Sequence, residues 1–145
     1  MKHIVLSFDP ISPYAYLAFE RLPQALQGLS ISVDYRPVLF AGLLVQWGQK
    51  GPAEIEPKRR WTYRQIAWLA HDHRIAMQMP ARHLFNPLPL LRLALACAPA
   101  GTQPNRRVVQ AVFRHVWASG GADPPDAGRL AALGRDLDPL RDPTG

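Results

Sequence analysis

Strand-like sequence is confined to the first 38 residues of this chain, which limits the folds that it can adopt. Residues 2–8 (KHIVLSF) contain a continuous apolar run, as expected of a buried strand in a parallel or mixed sheet. Residues 31–38 (ISVDYRPV) begin by alternating apolar and polar side chains, which indicates a second strand. The segment between them favours a helix, and a strand–helix–strand unit of this kind is right-handed with parallel strands.

The connecting helix has a clear start and an irregular end. Ser12 is a good N-cap residue, and Pro13 suits the first helical position because its missing N–H would have no partner there. Pro23 cannot bond to the preceding turn, so we expect a kink or a break at that point. Gly28 is expected to end the segment.

The rest of the chain favours helices, and we predict an α/β fold in which an all-helical body follows the strand–helix–strand start. Leu- and Ala-rich segments between Pro- and Gly-rich boundaries predict helices at about 40–48, 58–73, 87–98, 103–118 and 124–134. An apolar stripe on the second of these consists of Trp61, Ile66, Trp68 and Leu69. Two strands alone make a marginal sheet, so we expect further sheet strands to be missing from this chain.

Ser12 is the main candidate functional residue. A helix N-terminus presents free N–H groups and a partial positive charge, so a serine there can help to hold a thiolate, phosphate or carboxylate. The alternative is that Ser12 only caps the helix, which stabilises the fold by around 1 kcal/mol. No G-x-S-x-G motif surrounds Ser12, which argues against a hydrolase nucleophile.

Composition narrows the class of protein. Cys97 is the only cysteine among the 145 residues, which excludes an internal disulfide framework and favours a reducing compartment. No apolar run reaches the roughly 20 residues that cross a bilayer, and the N-terminal run is too short for a signal peptide. We therefore expect a cytoplasmic protein without a membrane partner.

His71 and His73 do not predict a metal site. On a helix these two side chains would point about 200° apart, so they could not bind one metal ion together.

The net charge of +6 comes from 17 basic and 11 acidic residues. Five basic residues crowd one region: Lys50, Lys58, Arg59, Arg60 and Arg64. Such a cluster can steer an anion or a nucleic acid, or it can be a solvated helix start. Because no nucleic-acid recognition motif accompanies the cluster, we expect no nucleic-acid partner.

Four stretches of the chain resemble one protein family. Residues 8–23 (FDPISPYAYLAFERLP) resemble the N-terminus of the 2-hydroxychromene-2-carboxylate isomerases and the related kappa-class glutathione transferases. Further matches follow in order: KGPAEIEPKRR at 50–60, PARHLFNPLPLLRLALA at 80–96, and VVQAVFRHVWASGGADPPD at 108–126. The resemblance implies a thioredoxin-like fold of the DsbA type, which carries a large helical insertion.

The resemblance also implies a chemistry. Thioredoxin relatives carry a Cys-x-x-Cys motif where this chain has Ser12, Pro13, Tyr14 and Ala15, so disulfide exchange is excluded at this site. What the resemblance implies instead is that Ser12 hydrogen-bonds the sulfur of bound glutathione and keeps it as the thiolate. The thiolate would add to the conjugated double bond of an unsaturated pyruvate and convert it into a single bond. This single bond can rotate, and elimination of the thiolate then releases the trans isomer and regenerates glutathione.

On positions that match the family, Lys50 and Lys58 are the expected partners of substrate anionic groups, with Asn86 as a weaker substrate-binding candidate. The implied cofactor is glutathione, the implied substrate is a small aromatic carboxylate, and a homodimer is expected. The resemblance divides the chain into an N-terminal βαβ part (1–38), a helical insertion (39–134) and a tail where it fades (135–145).

Because the C-terminal half of the thioredoxin sheet is expected to be missing, three functions stay open. The first is a glutathione-dependent isomerase for 2-hydroxychromene-2-carboxylate, and the second is a kappa-type glutathione transferase that uses the same serine. The third is a non-catalytic remnant that serves packing or dimerisation.

Overall fold

A parallel pair of strands joined by a helix forms the N-terminal part of the fold, as the sequence predicts. The computed structural model describes residues 1–137. Strand β1 (Lys2–Phe8) pairs with strand β2 (Ile31–Pro37) in parallel register, from Lys2 opposite Ile31 to Phe8 opposite Pro37. Helix α1 (Pro13–Ala25) makes the crossover between them.

A helical body follows β2, and its helices lie close to the predicted segments. Five α-helices form it: α2 (Phe40–Gln46), α3 (Glu56–Asp72), α4 (Leu88–Ala96), α5 (Arg106–Trp117) and α6 (Ala127–Leu137). A short 3₁₀ turn, Pro52–Glu54, leads into α3. None of the helices in the described part of the chain is long and apolar enough to span a membrane. Residues 138–145 of the predicted tail lie outside the described residues.

Helix α5 is the centre of the hydrophobic core. Its Phe113 is fully buried and its ring lies 5.3 Å from that of Phe8, 5.2 Å from that of Phe19 and 6.0 Å from that of Tyr16. The inward face of α5 also buries Val108, Val109, Val112, Val116 and Trp117. The strand–helix–strand unit and the helical body therefore share one core, and this core sets the position of the first residues of α1.

Helix α1 continues through Pro23, and no break occurs there. Pro23 has no N–H to donate to the carbonyl oxygen of Phe19 one turn earlier. The guanidinium of Arg106 takes over this role, because its Nη2 donates to the Phe19 oxygen at 3.2 Å. Its Nη1 donates to the hydroxyl of Tyr35 at 3.0 Å, and the guanidinium carbon lies 4.1 Å from the centre of the Phe19 ring.

The apolar stripe predicted on α3 is only partly buried. Ile66 is fully buried, and Leu69 packs against the core. Trp61 and Trp68, however, are 61% and 62% exposed. These two residues are seven positions apart and therefore lie on the same face of the helix, which points to solvent.

Candidate functional site

The loop between β1 and α1 is held by hydrogen bonds between side chains and the backbone, two of which reach distant parts of the chain. The indole Nε1 of Trp117 donates to the carbonyl oxygen of Pro10 at 2.8 Å. The carboxylate of Asp9 is buried and accepts from the backbone N–H of Ile11 at 3.0 Å and from that of Phe40 at 2.9 Å. Burial raises the pKa of Asp9, and these two hydrogen bonds oppose the rise. Asp9 thus joins the loop to the first residue of α2.

Ser12 follows this loop and caps α1. Its Oγ accepts from the N–H of Ala15 at 3.1 Å, and its carbonyl oxygen accepts from the N–H of Tyr16 at 3.2 Å. A hydroxyl that accepts in this way still has its own proton to donate. A second donor accompanies this hydroxyl. Pro13 has no N–H, and the N–H of Tyr14, the next residue of the first turn, has no described partner. Two donors at a helix N-terminus can together hold an anion.

Ser12 lines a cavity of about 360 Å³, a volume within the range of small-molecule sites. One wall is the α1 start, and the others come from α2, the 3₁₀ turn, α3 and the segment before α4. Most of the lining is apolar: Ile11, Pro13, Phe40, Ala41, Leu44, Val45, Pro52, Ala53, Leu84, Phe85 and Pro87. The polar and ionisable side chains on the lining are Ser12, Tyr14, Gln49, Glu54, Arg59, Thr62, Tyr63 and His83. The arrangement suits an apolar ligand that carries a few polar groups.

His83 connects the cavity to the Ser12 loop. Its Nε2 lies 2.8 Å from the carbonyl oxygen of Ile11, and a carbonyl only accepts, so Nε2 carries the proton. Burial lowers the pKa of His83, so the neutral ring uses Nδ1 to accept from the hydroxyl of Tyr63 at 2.6 Å. Burial also raises the pKa of Tyr63, which keeps that hydroxyl protonated. The imidazole ring packs 5.4 Å from the ring of Trp117, which fixes its orientation further.

The structure brings one of the predicted site residues onto the cavity wall. Ser12 lines the cavity, whereas Lys50, Lys58 and Asn86 are exposed and are not among the described residues of the lining. Each of the three is next in sequence to a lining residue. Asn86 also has a local role, because its Oδ1 accepts from the N–H of Leu88 at 3.1 Å, at the start of α4.

Sequence reasoning did not identify Asp9, Tyr63 or His83 as site residues, and it assigned Arg59 only to the basic cluster. His83 and Ile11 are separated by 72 positions, so no local pattern predicts their contact. Arg59 and Tyr63 are four residues apart on α3, and this spacing was the available signal for a shared face. Among the described residues, no group of three His, Cys, Asp or Glu side chains has the geometry of a metal site.

A parallel strand–helix–strand unit with a candidate site at the start of its helix is found in thioredoxin-like proteins and in several other α/β folds. The sequence model of the DSBA-like thioredoxin domain matches residues 3–137. The chain therefore belongs to the DsbA-like thioredoxin family, as the sequence resemblance predicts.

Similar proteins include isomerases and transferases. The chain is 27% identical over 138 residues to the 2-hydroxychromene-2-carboxylate isomerase of Sphingobium xenophagum, a match that covers 94% of this chain and 68% of the relative. It is 28% identical to the isomerase of the same name from Pseudomonas putida, of which it covers 60%. It is 31% identical over 75 residues to glutathione S-transferase kappa 1 of Rattus norvegicus, covering 52% of this chain and 33% of the relative.

A solved structure of a 2-hydroxychromene-2-carboxylate isomerase has the same fold. It superposes with a TM-score of 0.76 over 96% of this chain and 66% of that chain, at 22% sequence identity. The predicted thioredoxin-like fold is thereby confirmed. The chain spans about two thirds of the length of the isomerases that it matches.

Proposed function

We propose that this chain is a glutathione-dependent isomerase that acts on 2-hydroxychromene-2-carboxylate or a closely similar aromatic carboxylate. The observation that carries this proposal is the hydroxyl of Ser12, which caps α1, retains its own proton and lines an apolar cavity. The similarity to two isomerases and a kappa transferase supports the proposal at the level of family function.

Glutathione fits the donors at the start of α1. The chain's one cysteine, Cys97, is buried and is not among the residues that line the cavity, so a reactive sulfur there has to come from a ligand. Bound glutathione would supply a nucleophilic sulfur that adds reversibly to a conjugated double bond. The hydroxyl of Ser12 and the N–H of Tyr14 would hold its sulfur as an anion, because both donate and the helix N-terminus favours negative charge.

We assign the other tasks to the apolar lining and to three exposed residues that are next in sequence to lining residues. The apolar walls would hold the aromatic part of a substrate and exclude water, which strengthens the electrostatic interactions at Ser12. Lys50 and Lys58 are proposed to attract anionic ligands to the cavity from solvent, where long-range charge acts mainly on the rate of association. Asn86 is proposed to contribute to substrate binding beside Phe85.

We further propose that the chain works in the cytoplasm, where a reducing environment suits its unpaired cysteine.

Kappa-type transfer is the second candidate function, and the kappa relative of Rattus norvegicus favours it. Both activities would use Ser12 in the same way. They differ in the product, since an isomerase releases unmodified glutathione and a transferase releases a conjugate. Chromatography of the products after incubation with glutathione and the aromatic substrate would distinguish the two.

Calorimetry with glutathione tests the proposal. Wild type should bind, and Ser12→Ala should bind at least about tenfold more weakly, as expected for the loss of a hydrogen bond to a charged group. Asn105→Ala is the matched control, because Asn105 caps α5 in the same way, with Oδ1 accepting from the N–H of Val108 at 3.0 Å, and does not line the cavity. It should lose similar stability and bind glutathione normally. Absence of binding by wild type would refute the proposal and support a non-catalytic remnant.

A further inference from the structure

One face of α3 brings a cation to the cavity. Arg59, Thr62 and Tyr63 all line it, and their spacing of three and four residues places them on one side of the helix. Lys58 is one residue earlier, which rotates its side chain by about 100° around the helix axis, and it does not line the cavity. The helix phase therefore places Arg59 on the lining, although its side chain is exposed, as that of Lys58 is.

Arg59 is the cationic side chain among the described residues of the lining. His83, the other basic residue there, contacts the carbonyl oxygen of Ile11 through Nε2 and the hydroxyl of Tyr63 through Nδ1, and burial lowers its pKa, which favours the neutral ring. Arg59 forms no ion pair with a described residue, whereas the adjacent Arg60 pairs with Glu56 at 3.2 Å. The Arg59 charge also acts on the cavity wall, since it lowers the pKa of the Tyr63 hydroxyl against the larger effect of burial.

The one acidic side chain on the described lining is held by the backbone. Oε2 of Glu54 accepts from the N–H of Gly51 at 2.7 Å, which fixes its carboxylate at the 3₁₀ turn. A guanidinium without a described ion-pair partner, next to apolar walls, is suited to a ligand carboxylate because its planar fork matches the two carboxylate oxygens.

We propose that Arg59 makes this cavity selective for a flat aromatic ligand that carries a carboxylate, and that its guanidinium pairs with that carboxylate. This inference rests on the proposed function for the place of the substrate, and it is independent of any chemistry with glutathione. It assigns to Arg59 the direct anion contact that the sequence suggested for Lys50 and Lys58, which keep a role in attraction from solvent.

The test compares two probes of one shape, naphthoate and its neutral amide, naphthamide, by calorimetry in the absence of glutathione. Wild type should bind naphthoate more tightly than naphthamide, and added salt should reduce this preference. Arg59→Gln should reduce the preference about tenfold, as expected for the loss of a charge-assisted hydrogen-bonded pair, and should leave naphthamide binding unchanged.

Two control variants distinguish a direct contact of Arg59 with the carboxylate from the long-range attraction exerted by the whole basic cluster. Arg60→Gln removes the same charge from the next position of α3 and should change the preference less than twofold. Lys58→Gln removes the rival cation and, because its proposed role is attraction from solvent, should reduce the preference less than Arg59→Gln does. An equal loss in any of these variants would overturn the proposal, as would the absence of naphthoate binding by wild type. If naphthoate selectivity depends on Arg59 but glutathione does not bind, this inference stands and the proposed function fails.

Discussion

Removal of the Arg106 guanidinium should destabilise the fold strongly, and the reason lies in Pro23. Arg106→Ala removes the donor to the Phe19 carbonyl oxygen, the hydrogen bond to Tyr35 and the contact with the Phe19 ring. Because Pro23 has no N–H, the Phe19 oxygen is then left without its replacement donor.

The magnitude follows from these three contacts. The carbonyl left without a donor costs about 1–3 kcal/mol, and the neutral hydroxyl partner adds about 0.5–1.5 kcal/mol. The cation–π contact adds about 0.5–1 kcal/mol. Since Arg106 is partly exposed, water replaces some of this, and we expect a decrease of about 2–4 kcal/mol in the free energy of unfolding.

A double-mutant cycle with Pro23→Ala isolates the carbonyl contribution. Alanine at position 23 restores the N–H, which can donate to the Phe19 oxygen, so Arg106→Ala should cost about 1–2 kcal/mol less in that background. Urea denaturation of the four proteins measures the difference, with Arg107→Ala as a control because Arg107 is an exposed arginine on the same helix. An equal cost of Arg106→Ala in both backgrounds would refute the explanation of how α1 tolerates Pro23.

Three further predictions concern pH, the loop and self-association. Burial lowers the pKa of His83 and His115 in the folded state from the ordinary value of 6.5. As the pH falls below 6.5, the unfolded chain therefore binds more protons than the folded chain, and the urea midpoint should decrease. A midpoint that stays constant below pH 6.5 would contradict this prediction. Asp9→Asn should cost about 1–3 kcal/mol, because an NH2 group that cannot accept replaces one of the two carboxylate oxygens, each of which faces its own backbone donor; an unchanged melting temperature would show that the carboxylate does not hold the loop. Sedimentation velocity should detect the homodimer that the family resemblance implies, and Trp61→Lys with Trp68→Lys tests whether their exposed face forms it; a monomeric wild type would contradict the dimer.

Local sequence signals were sufficient for the elements and for the position at which α1 starts. Ser12 and Pro13 predict the helix start, and the apolar run of β1 with the alternation in β2 predicts the parallel pair, because these features depend on neighbouring residues. Trp61 shows what such signals leave open. Its position on an apolar stripe indicates packing in the core or at a dimer interface, and within one chain the helix presents Ile66 to the core and leaves Trp61 exposed.

The contacts that complete the site join distant parts of the chain. Arg106 and Phe19 are 87 positions apart, so the sequence around Pro23 predicts a kink or a break and gives no sign of the donor that replaces the missing N–H. His83 reaches the Ser12 loop across a similar separation. The choice between Lys58 and Arg59 depends on helix phase, and an error of one residue moves a side chain by about 100°. A single sequence does not reveal contacts between distant positions, and it does not fix the orientation of a helix to within one residue.

The ionisation of bound glutathione tests the central claim most directly. A titration of the thiolate ultraviolet absorbance should give a bound thiol pKa below the value of about 8.5 for an ordinary cysteine thiol. Ser12→Ala should raise this pKa, and Asn105→Ala should leave it unchanged. A pKa that is the same in wild type and in Ser12→Ala would contradict the account, because Ser12 would then be only a helix cap.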